Sequence, residues 1–216
     1  MDSLYCYVNR YIEVKDIVRL LSTLIGVFVG ALLAYANQNR ALKNKQKKDD
    51  INSCQIALFQ LGVIHENLHD IKNELDPYSD KEQRHIDMPI IIYGDKEVCI
   101  NIDSLTFLLF ENDANTIYLL STIEREYKKL ISMIEARNSI KEKSMHSGWS
   151  ESLIFEIQND TDRIYNQFQR CYSFSNQIRE LAFKVFKNKF KRANFVTGVT
   201  NVLKTTSNKK INSDHK

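Results

Sequence analysis

Seventeen consecutive residues, Leu20 to Ala36 (LLSTLIGVFVGALLAYA), carry no charge. At about 1.5 Å per residue the run covers about 26 Å, and Ile17 and Val18 extend it toward the roughly 30 Å hydrocarbon core of a bilayer. A helix packed on a soluble core needs one polar face, and this run has none. Lipid admits only backbone whose hydrogen bonds close within the segment, so the run is expected to be a transmembrane helix over 17–36. Ala34-Tyr35-Ala36 imitates a signal-peptidase site. However, the preceding MDSLYCYVNRYIEVKD is mixed in charge and aromatic, unlike a basic signal-peptide start.

The flanks set an orientation. Arg40, Lys43, Lys45, Lys47 and Lys48 follow the run with no acid before Asp49. Arg10, Lys15 and Arg19 precede it. The cationic excess places the C-terminal side in the cytoplasm and a short tail, residues 1–16, outside. The five basic residues of the juxtamembrane helix, 37–50, are positioned for lipid head groups. Ser22, Gly26, Gly30 and Ala34 recur every four residues and form a small-xxx-small stripe, which lets two helix backbones approach closely in lipid. The stripe predicts a homo-oligomer.

Past the anchor the chain is long enough for one domain with a core of its own, 51–192. Two prolines and six glycines in 216 residues argue for long helices over a turn-rich β fold. Leu61, Ile64, Leu68, Ile71 and Leu75 keep helical spacing over Ile51–Leu75. Ile90 to Tyr93 and Val98 to Ile102 are β-prone runs around Gly94-Asp95-Lys96 and predict a small hairpin within about 86–102. Asp103-Ser104 is a capping signal for a helix from Leu105, with a break near Glu111 to Asn115. Ile117, Leu120, Ile123, Tyr127, Leu130, Ile131 and Ile134 continue the apolar face. Met145 to Ser150 reads as a loop, and Ser150 opens a last helix running to about Arg192. The fold class is therefore mainly α: one N-terminal transmembrane helix, then a cytoplasmic antiparallel helical bundle with a small β-hairpin insertion. The polar, basic segment 193–216 is expected to be disordered. Phe183, Phe186 and Phe190 lie on one face of the last helix with Lys184, Lys187, Lys191 and Arg192 beside them. That arrangement suits bundle packing or, alternatively, a head-group contact.

Net charge is only +3, so global basicity demands no nucleic acid. Cys6, Cys54, Cys99 and Cys171 show no CxxC spacing, which argues against a disulfide framework or zinc ribbon. No Gly-rich phosphate loop or other cofactor motif occurs. One match to enzyme chemistry stands out: His65-Glu66-Asn67-Leu68-His69 fits H-E-x-x-H, in which two histidines grip zinc and the glutamate activates water. Three features count against a metallopeptidase. The histidines point about 110° from the apolar stripe. Asn67 follows Glu66 where an apolar residue is usual. His85, Glu97 and His146 offer no recognisable third-ligand motif.

Three stretches, LIGVFVGALLAYANQNR, IALFQLGVIHENLHDIKNELDPY and SLTFLLFENDANTIYLLSTIEREYKKLISMIEARNSI, resemble a group of small bacterial proteins with one N-terminal membrane helix and a helical cytoplasmic domain. The similarity covers about Leu24 to Ile140 and includes Arg137-Asn138. The chain lacks the histidine such proteins often carry near Ile140, and H-E-x-x-H is not part of their pattern. The group looks like the membrane effectors of anti-phage loci, including those paired with retron reverse transcriptases. The resemblance implies abortive infection: a partner, such as a reverse transcriptase ribonucleoprotein, senses phage and the effector damages the inner membrane. A passive anchor for a cytoplasmic partner is the other non-enzymatic reading.

Overall fold

The computed structural model describes residues 14–94, 97–111, 113–191, 193 and 195. Residues 1–13 of the tail expected to face outward, Cys6 among them, Asp95 and Lys96 of the expected turn, Arg192 and nearly all of the C-terminal segment lie outside them. The chain is mainly helical: α1 (Val14–Leu75), a 3₁₀ turn (Asp76–Tyr78), a one-turn α2 (Arg84–Asp87), a 3₁₀ helix (Asp103–Glu111), α3 (Ala114–Ser147) and α4 (Glu151–Lys189). It divides into two compact units between Asp49 and Asp50.

The first unit holds the N-terminal part of α1. Every side chain from Asp16 to Asp49 is exposed except half-buried Asn39. The second unit is built on the remainder of α1 with α3 and α4. Leu61, Ile64, Leu68 and Ile71 are fully buried in α1, each contributing about 1.5–3 kcal/mol of apolar transfer. From α3 come Leu120, Ile123, Tyr127, Leu130 and Ile134, and from α4 Ile157, Ile164, Ile178 and Phe186. Side-chain bonds fix the directions. Tyr165 donates to the Leu75 carbonyl at 2.7 Å, and His65 meets Ser175 at 3.2 Å, so α4 runs antiparallel to α1. Arg137 reaches Thr161 and Gln167 reaches Glu126, so α3 is antiparallel to α4 as well. α1 and α3 therefore run the same way, which requires the long crossover 76–113.

Local chemistry explains the boundaries. Ser150 accepts the Leu153 N–H at 3.3 Å and caps α4. Gly148 ends α3 at φ 75°, a conformation that side chains resist. α3 continues through Ser147, so Met145 to Ser147 is helical where a loop is predicted. The stretch from Asp103 is 3₁₀, not α. Leu105 and Leu108 are both fully buried, and a spacing of three puts them on one face of a three-residue turn.

The expected β-hairpin is not formed, and no strand occurs among the described residues. The reason lies on α3. The Asn138 amide accepts from the Ile91 N–H at 3.0 Å and donates to the Ile91 carbonyl at 2.9 Å. One amide reaching both groups of one residue needs extended backbone there. Glu124 likewise accepts from the Ile100 N–H at 2.9 Å. Helix side chains thus take hydrogen bonds that a second strand would have supplied. Met88, Ile91, Val98 and Ile100 point into the core, so the crossover lies over the bundle as a strap.

Candidate functional site

The apolar part of α1 is long and apolar enough to cross a membrane, with a mean hydropathy of 2.2 over its best window and none of that window buried. A soluble core helix of this composition would be covered, whereas Leu20, Leu24, Val27, Phe28 and Leu33 are each more than 60% exposed. The helix is compatible with a single-pass anchor. Within it, Ser22 satisfies its own hydroxyl on the Arg19 carbonyl at 2.9 Å. A Cβ built on Gly26 or Gly30 meets nothing within 4 Å. Packing inside this chain does not require either glycine, and the stripe with Ala34 is an open surface. Arg40, Lys43, Lys45, Lys47 and Lys48 are all exposed. Along a helix, Arg40 and Lys43 fall about 6–10 Å beyond Ala36, and Lys45 to Lys48 about 13–18 Å.

H-E-x-x-H falls on α1 in the second unit, but its side chains do not converge. His65 is half-buried at the seam with α4, bonded to Ser175 and stacked on Tyr172 with centroids 5.6 Å apart. Burial, then the charges of Arg179 and His69, push its pKa down to about 4. Glu66 and His69 are exposed, and buried Asn67 receives its place from a 2.8 Å bond to the Tyr127 hydroxyl. Among the described residues no three His, Cys, Asp or Glu side chains group closely enough to share a metal ion. His65 acts in packing. Phe186, near the end of α4, and Phe190, just after it, are core residues, with Phe183 packed against the core. Lys184, Lys187 and Lys191 face outward. Cys54 and Cys171 are buried and Cys99 is exposed, all as free thiols.

The most developed polar site escapes motif reading. Arg137 is fully buried, donating to the Pro89 carbonyl at 2.7 Å, the Met88 carbonyl at 2.8 Å and the Thr161 hydroxyl at 3.2 Å. Lys141, one turn on, donates to the Ile86 carbonyl. With Asn138 on Ile91, three side chains of α3 grip four residues of the strap. Burial lowers the Arg137 pKa to about 10, which still leaves it a cation at neutral pH. Among the described residues no carboxylate is a hydrogen-bond partner of Arg137. A planar guanidinium with neutral acceptors is suited to fixing backbone. The adjacent Arg-Asn pair is visible in sequence, but nothing there marks its buried partners. Arg84 ties the strap's start to α4 through Asp162 at 2.7 Å.

No family model, curated protein or solved structure matches the chain.

Proposed function

We propose that the chain is a bacterial inner-membrane protein, single-pass with its helical unit in the cytoplasm, acting as the membrane effector of an anti-phage defence system. The observation that carries this is the wholly uncovered apolar segment of α1 with its open small-residue stripe. A single span cannot enclose a pore, so damage to the bilayer requires assembly, and Ser22, Gly26, Gly30 and Ala34 supply a surface for it. The basic run after Ala36 holds the cytoplasmic end at an anionic leaflet. The helical unit, with its strap clamped by Arg137, Asn138 and Lys141, is the part a sensing partner such as a reverse transcriptase complex would hold.

Inducible expression with a membrane-potential dye tests the reading. Depolarisation is expected in the wild type and in His65→Ala/His69→Ala, and its loss is expected in Gly26→Leu/Gly30→Leu at equal membrane abundance. Loss in the histidine variant would favour a zinc peptidase instead. No depolarisation in any variant would leave a passive anchor.

A further inference from the structure

A groove of about 520 Å³ runs along the outer face of the α3–α4 pair. Its α3 wall carries Thr122 and Glu126, and its α4 wall carries Arg170, Cys171, Phe174 and Gln177. Cys171 is a buried floor residue, Phe174 is half-buried, and Tyr118, one turn before Thr122, is 64% exposed. Glu126 is the acid of the α3 wall, 3.5 Å from the guanidinium of its neighbour Arg125, and Arg170 is the base of the α4 wall. Glu126 is held in place by the Gln167 amide, which donates to its carboxylate at 2.9 Å and to its backbone carbonyl at 3.2 Å. That bond first, and then Lys129 and Arg125, keep the carboxyl below its ordinary range, so it is ionised at neutral pH. Arg170 on the facing wall is exposed and forms no ion pair among the described residues.

We infer that this groove docks a second copy of the same chain, groove to groove, with Glu126 of each copy against Arg170 of the other. The charges select both occupant and direction. Turning a copy about an axis parallel to the helices sets the α3 wall on the α4 wall and pairs acid with base twice. Turning it about an axis across the helices sets α3 on α3, acid against acid. Only the first is self-complementary, as a twofold contact requires. Phe174 and the methyl of Thr122 in the groove, with the exposed ring of Tyr118 one turn along α3, are what the contact would cover. The contact lies wholly in the second unit and does not depend on the membrane stripe.

The test uses the full chain in detergent with a photo-cross-linking amino acid replacing exposed Gln177. Wild type is expected to give a dimer band whose cross-link maps near Tyr118 of the other copy. E126R alone and R170E alone each place like charges in both contacts, and each is expected to lower the band by about tenfold. Mixed E126R and R170E chains restore both pairs and regain it, because only the mixed dimer is complementary. If E126R fails to fold, R170E alone against R170E/E126Q reads the same contact, with partial recovery expected. Three results would each overturn the inference: no dimer band in wild type, a band indifferent to reversal, or no recovery on mixing. So would cross-links running only to other proteins. Because the readout sits in the groove, such a failure leaves the membrane stripe untouched.

Discussion

Replacing Arg137 by alanine tests whether the strap is held by its cationic clamp. The guanidinium is fully buried and makes three hydrogen bonds, two of them to carbonyls of Met88 and Pro89. Removing it orphans the Met88 carbonyl inside the protein, leaves the Thr161 hydroxyl without that donor and empties the volume of the largest fully buried side chain. An unsatisfied buried polar group costs about 1–3 kcal/mol, and a large-to-small change in a core adds about 2 kcal/mol or more. Against this stands the relief of a desolvated charge, so the net loss is about 3–4 kcal/mol. For a unit of this size each kcal/mol lowers Tm by about 2–4 °C, giving a drop of about 10 °C. Thermal unfolding in detergent, followed by circular dichroism at the helix minimum, measures it. Arg137→Met restores much of the volume and should recover part of the loss. If Arg137→Ala changed Tm by less than about 2 °C, the reasoning that this residue fixes the strap would be wrong.

Three further outcomes follow from the packing. Gly94→Ala sets a Cβ into the side-chain amide of Asn67, whose position is fixed by Tyr127, so strap and helix must move apart; denaturant unfolding should show a loss of about 1–3 kcal/mol. His65 is a base whose folded pKa, about 4, lies below its unfolded 6.5, so its contribution is complete above pH 6.5 and drains away as pH falls toward 4. With its partial exposure discounting the shift, the loss is about 1–2 kcal/mol, and a His65→Gln chain should lack that part of the pH dependence. Ser150→Ala removes the α4 cap and should cost about 1 kcal/mol, with faster amide exchange confined to the first turn.

The helices were legible because periodicity reports burial directly. Leu61 through Leu75 form the stripe their spacing predicts, and Ser150 caps the helix it precedes. The hairpin expectation fails for a physical reason. Ile90 to Ile102 has strand propensity, but propensity does not say which partner satisfies the backbone, and here Asn138 and Glu124 of α3 do so from 47 and 24 residues away. The H-E-x-x-H spacing is real, yet spacing alone cannot show that one histidine packs on Tyr172 while the other faces outward. Arg137 is illegible for the same cause. A buried arginine held by carbonyls has no acidic residue at helical spacing to announce it.

In the proposed topology the apolar run is an anchor and the helical unit lies inside the cell. Protease added to intact spheroplasts, followed by detection of a C-terminal epitope and of the mass of the membrane-bound chain, tests this directly. The expected result is a membrane-embedded chain that retains Leu20 to Ala36 and whose helical unit is digested only after lysis. Digestion without lysis, or a mature chain beginning after Ala36, would contradict it.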